Sequence, residues 1–114
     1  MSVAYKVLTA DQMAVLLKDG VFLGAPIDLA DGYIHFSTAE QARETAAKHF
    51  VGQSDLVLAV IDAERLGDKL KWEPSRGGAL FPHLYRTLGM DEVLSVHPLP
   101  MKSDGMHDFG DLLT

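Results

Sequence analysis

Residues 31–42, DGYIHFSTAEQA, place an imidazole and a hydroxyl two positions apart just ahead of a helix start. Strand side chains alternate between faces, so Tyr33, His35 and Ser37 share one face and Ile34 and Phe36 the other. An imidazole, a hydroxyl and the N–H groups of a helix start together suit a phosphate or a carboxylate. The same residues also describe an ordinary half-buried strand histidine. In KWEP, Glu73 stands at a strand end, where a carboxylate reaches a cleft or simply faces water. In FPHLY, Pro82 fixes the backbone before His83, and Phe81, Leu84 and Tyr85 surround it with apolar and aromatic surface. A histidine held this way stacks on or hydrogen-bonds a ring-bearing ligand, unless the segment is a loop anchored by Phe81 and Tyr85. SRGG offers Arg76 as an arm over phosphate or as a plain turn.

The elements that must position these groups follow from periodicity and caps. VAYKVLT, residues 3–9, reads as a strand. Thr9 with Gln12 forms a capping box that opens a helix to about Lys18, with Met13, Leu16 and Leu17 at helical spacing and Gly20 as its stop. Residues 21–32, VFLGAPIDLADG, read as a loop punctuated by Gly24, Pro26 and Gly32. A strand from Tyr33 to Ser37 leads into a helix capped by Ser37 with Glu40 or Thr38 with Gln41, packing through Ala39, Ala42, Ala46 and Phe50. Residues 55–62, DLVLAVID, are apolar on both faces, the pattern of a central strand. DAERLG is a turn or one helical turn. KLKWE alternates, with Leu70 and Trp72 inward and Lys69, Lys71 and Glu73 outward. PSRGGALFP reads as a loop, HLYRTLG as a short helical turn and DEVLSVHPL as a last strand. Phe109, Leu112 and Leu113 could dock the Gly- and Asp-rich tail. Leu58, Val60, Phe36 and Trp72 are expected in the core. Five strands and two main helices, with later connections too short for helical crossovers, predict a single α+β domain over residues 1–114 with antiparallel pairing.

Composition narrows the function. With 47% hydrophobic residues, 114 residues form a real core. The chain has no cysteine, which removes disulfides, thiolate nucleophiles and cysteine-based zinc sites. The net charge of −6, with scattered Lys and Arg, disfavours a large nucleic-acid partner. No basic stretch precedes an apolar run at the start, and Leu56 to Ile61 is too short to span a bilayer, so a cytoplasmic protein with no membrane partner is expected. There is no P-loop, GxGxxG, HExxH, HxH or GxSxG.

DGYIHFSTAEQ, LVLAVIDAERLG, KWE and FPHLY occur in an order that resembles the bacterial family named domain of unknown function 952 (DUF952), over nearly the whole chain. YIHFSTAEQARETA followed by LVLAVIDAERL more distantly resembles the NAD-dependent RNA 2′-phosphotransferases of the ADP-ribosyltransferase superfamily. That resemblance implies two small antiparallel-rich sheets with NAD in the cleft between them. His35 matches the second His of the family's His-aliphatic-His-Leu-Ser strand and Ser37 its Ser; Tyr33 stands where the first His would be. The superfamily's first-strand His-Gly-Thr has no counterpart in Tyr5 to Thr9. At 114 residues the chain is expected to be too short for the extra N-terminal domain of the RNA enzymes, and too acidic overall to supply their basic groups for the 2′-phosphate.

Together these readings predict a small anionic or nucleotide ligand, with NAD as a possible cofactor and no metal. His35, Glu73 and His83 are the catalytic candidates. Tyr33, Ser37, Arg76 and Tyr85 are the ligand-binding candidates. His35 and Ser37 belong near ribose or phosphate and His83 and Tyr85 near a ring, while Glu73 orients a hydroxyl or stabilises positive charge developing on the ribose carbon. The alternatives are a binding module without chemistry, or a metal-dependent site built from His35, Glu73 and His83. The three candidates come from separated segments, so a shared site requires that they line one pocket.

Overall fold

The computed structural model describes residues 2–75 and 78–113. Strand β1 (Val3–Thr9) runs into helix α1 (Ala10–Asp19) through a reciprocal cap: Gln12 N donates to the Thr9 hydroxyl and Thr9 N to the Gln12 side chain. Short strand β2 (Val21–Phe22) precedes helix α2 (Pro26–Asp31), strand β3 (Ile34–His35) and helix α3 (Ala39–His49). Strand β4 (Leu56–Asp62) is followed by helix α4 (Ala63–Leu66), a 3-10 turn and the hairpin β5 (Leu70–Pro74)–β6 (Leu80–Leu84). Strands β7 (Leu88–Gly89) and β8 (Val93–Leu99) complete the order.

The strands form three antiparallel groups, β1-β4-β8, β2-β7 and β3-β6-β5, an α+β architecture. Strand β4 is central and apolar on both faces because both faces are covered. Ala59 and Ile61 join a core with Ala4, Leu8, Met13, Leu16, Ile34 and Leu84; Leu56 and Leu58 join another with Tyr5, Val7, Ala42, Ala46 and Phe109. The tail docks as expected through Phe109, with Leu112 and Leu113 packed against the second core. The β1 edge meets the β3 segment through paired backbone bonds between Tyr5 and Ser37.

Several sequence expectations change. Residues 21–32 are not a plain loop: they hold β2 and α2. Pro26 at the helix start, Asp28 accepting from Ala25 N, and Gly32 at φ +87° supply the start and stop of α2. Residues 80–84 and 88–89 are strands rather than loop and helical turn, because the β5–β6 hairpin and the β2–β7 pair recruit their backbones. Regular pairing in the 33–37 segment is confined to Ile34 and His35, with the Ser37 bridge beyond. Trp72 is 47% exposed instead of buried. It shares the face of Leu70, but the hairpin runs past the end of the core, and Leu80 is exposed there too. Val60 is half-buried, near the end of β4, whereas Leu58 and Phe36 are buried as expected. Leu17 lies outside the buried stripe of α1.

Candidate functional site

His35 and His83 are directly paired across β3 and β6, so their side chains project from the same sheet face. Tyr85 follows two residues after His83 in sequence, and Glu73 comes from neighbouring β5. Tyr33 stacks on His83 with ring centroids 4.1 Å apart, and lies 4.7 Å from His35 and 5.2 Å from Tyr85. The two imidazoles are 5.4 Å apart and edge-on. Five of the seven candidates therefore meet: Tyr33, His35, Glu73, His83 and Tyr85. Arg76 lies outside the described residues.

Each imidazole has its own carboxylate. Glu73 Oε1 accepts from the Tyr85 hydroxyl at 2.6 Å and contacts His83 Nδ1 at 2.9 Å. An ionised carboxylate only accepts, so Nδ1 carries hydrogen. These two bonds, Tyr85 first, hold the Glu73 carboxyl below its usual range, and the same bond pushes the Tyr85 hydroxyl up to about 12. Both contacts fall on Oε1; no described residue is bonded to Oε2. His83 is 2% exposed, and its Nε2 is buried without a hydrogen-bond partner. Burial, with the Asp31 and Glu73 charges, raises the pKa of the Tyr33 hydroxyl.

The second carboxylate was not among the sequence candidates. Asp28, buried on α2, contacts His35 Nδ1 at 2.7 Å through Oδ1, which also accepts from His35 N. Its Oδ2 accepts from Ala25 N at 2.7 Å and lies 3.3 Å from Lys6 Nζ. Burial opposes the Asp28 anion, but His35, Lys6 and the two amides outweigh it and hold its pKa low. Gly24 makes room for this arrangement: at φ +134°, a Cβ there would meet the Asp28 Cβ at 3.0 Å. Asp31, one turn further along α2, reaches His35 Nε2 at 3.0 Å. The missed signal was Ala25-Pro26-x-Asp28 followed by Gly32, a helix start and stop inside an apparent loop. Lys6, a charge within an apolar strand, was likewise visible and unused.

A cleft of about 630 Å³ opens beside these groups. It is lined by Lys6, Asp28, Asp31, His35 and Ser37 among others, with Phe81 and Ser75 from the hairpin. His35 belongs to both cleft and ring cluster. Tyr33, Glu73, His83 and Tyr85 stand beside the cleft rather than in its lining, which corrects the expectation of one pocket; the Tyr33 ring covers His83. Ser37 is buried and bonded to Thr45 Oγ1 at 3.1 Å, apart from the rings. The α3 start is less open to an anion than its sequence suggests, because Thr38 and Gln41 cap each other's backbone. Among the described residues, no group of three or more His, Asp or Glu side chains is placed to hold a metal ion. No helix among them is long and apolar enough to cross a membrane.

Fold and site define an antiparallel α+β domain with one imidazole–carboxylate pair in the wall of a cleft and a second beside it. Residues 7–96 match the family model described as "Protein of unknown function (DUF952)", and the chain belongs to that family. The crystal structure of protein CC0527 from Caulobacter crescentus is similar, at 50% identity over 97% of each chain with a TM-score of 0.94. The solution NMR structure of CC0527 matches at 50% identity over 100% of this chain and 98% of that one, with a TM-score of 0.88. No curated protein matches. None of these descriptions names an activity or an ADP-ribosyltransferase.

Proposed function

We propose that this chain binds an ADP-ribose-bearing small molecule, NAD or ADP-ribose, across the cleft and the ring cluster. The observation that carries this reading is the double membership of His35. It joins a largely apolar cleft, into whose wall Lys6, Asp28, Asp31 and Ser37 set polar groups, to an aromatic surface, and a two-part site of this kind suits an elongated ligand with a ring at one end and ribose and phosphate at the other. The cleft volume is in the range of small-molecule sites. Tyr85, 42% exposed, offers a stacking face, and the half-exposed Glu73 carboxylate would accept from a ribose hydroxyl.

Calorimetry with NAD, ADP-ribose and adenosine tests the reading. The phosphate-bearing ligands should bind more tightly than adenosine. His35→Ala should weaken ADP-ribose binding by about 1–3 kcal/mol, the cost of losing a hydrogen-bond donor or acceptor in a built site. Absence of binding by all three ligands removes the proposal. A nicotinamide-release assay with NAD separates transfer from binding. If the ribosyl bond is cleaved, Glu73→Gln should slow release far more than it weakens binding, because a carboxylate acts mainly on the cation-like transition state. If wild type releases no nicotinamide, the site binds without chemistry.

A further inference from the structure

Lys6 is unlike the other lysines of this chain. Lys18, Lys48, Lys69, Lys71 and Lys102 are exposed, whereas Lys6 is 9% exposed and stands in the wall of the cleft. Its neighbours on the same face of β1 are Ala4 and Leu8, both fully buried. Its amine makes two polar contacts, to the His35 carbonyl at 2.8 Å and to Asp28 Oδ2 at 3.3 Å. The Phe36 ring centroid lies 5.8 Å from the same nitrogen, so the amine sits among a carboxylate, a carbonyl and an aromatic ring in the cleft wall.

We propose that Lys6 is a carbonyl-reactive amine, and that a small aldehyde or ketone entering the cleft forms an imine with its Nζ. The lone pair of the free amine attacks the carbonyl carbon, and the carbonyl oxygen takes up a proton from solvent as the C–O double bond opens. The attacking nitrogen gives a proton to Asp28, which leaves a carbinolamine. Asp28 returns that proton to the hydroxyl, the C–O bond breaks, and water departs as the C–N double bond forms. The nitrogen then loses its remaining proton to solvent. The sum is amine plus carbonyl giving imine plus water, with no oxidant or reductant. Burial pushes the Lys6 amine below the ordinary lysine range, against the pull of Asp28, which favours the nucleophilic form. Asp28 is fixed for the transfer by its other bonds to Ala25 and His35. This activity does not depend on the nucleotide reading.

The test uses the intact wild-type chain at neutral pH with glycolaldehyde and sodium cyanoborohydride, which reduces an imine to a stable amine. Peptide mapping by mass spectrometry then locates the adducts. Lys6 should carry severalfold more adduct than the average of the exposed lysines, because its amine is held below the ordinary lysine range and stands beside a proton acceptor. Asp28→Asn, which keeps the shape and removes the proton acceptor, should cut Lys6 labelling while labelling of the exposed lysines stays the same. Adduct spread over the exposed lysines, with Lys6 at or below their average, overturns the proposal. That wild-type distribution decides the matter even if the variant folds poorly.

Discussion

The two imidazole–carboxylate pairs are built in opposite senses. In one, the acid is buried and the base is accessible: Asp28 is 2% exposed, while the His35 side chain is 30% exposed. In the other, the base is buried and the acid is accessible: His83 is 2% exposed, while the Glu73 side chain is 38% exposed. Asp28 has every contact taken up by its own domain, from Ala25, His35 and Lys6. Glu73 gives one oxygen to both His83 and Tyr85, and no described residue is bonded to the other. The same residue pairing therefore buries its acid in one place and its base in the other.

The largest effect should come from breaking the pair whose acid is buried. Asp28→Ala strands a buried lysine and releases two backbone amides, and removing one partner of a buried ion pair costs about 3–5 kcal/mol. Urea unfolding should show that loss, with Asp28→Asn costing less, about 1–3 kcal/mol. Comparable stability in Asp28→Ala and wild type would erase the contrast between the pairs.

Acid stability should be the next largest effect. The folded protein holds the Asp28 carboxyl below its ordinary 3.8, so it favours the anion. Stability from this group is complete above 3.8 and drains as pH falls through the lower folded value. Asp28→Asn should flatten that part of the stability profile. Lys6 acts with the same slope elsewhere: its depressed value means that stability rises with pH from the folded value towards 10.5.

Glu73→Gln should leave the melting temperature nearly unmoved yet change a spectroscopic signature. Tyr85 titrates at about 12 because Glu73 accepts its hydroxyl hydrogen. A tyrosine with a raised folded pKa lends stability that is lost as pH climbs from its ordinary value of 10.0 towards 12. In the Glu73→Gln variant the Tyr85 resonance should titrate nearer 10.0. An unchanged titration would show that the carboxylate does not govern this hydroxyl.

The contrast also explains what was legible in the sequence. Thr9 with Gln12 and Thr38 with Gln41 announced α1 and α3, because caps are local chemistry. The both-faces apolar run of β4 announced its central place. Tyr33, His35, Glu73, His83 and Tyr85 could be singled out because polar and aromatic side chains at strand ends are visible one segment at a time. Their meeting depends on the β3-β6-β5 register, which no single segment encodes. Asp28 was hidden inside a six-residue helix too short to show a helical period. Trp72 obeyed the strand alternation and still ended up exposed, because alternation gives the face and not how far the core extends beneath it.

The most direct test of the account follows the ring resonances of the histidines and tyrosines by NMR while ADP-ribose is added. The account predicts shifts at Tyr33, His35, His83 and Tyr85, with His97 and His107, which lie outside both pairs, unmoved. Glu73→Gln should diminish the shifts at His83 and Tyr85 while the Asp28–His35 contact stays in place. No shift at any of these rings, or shifts confined to His97 and His107, would contradict it.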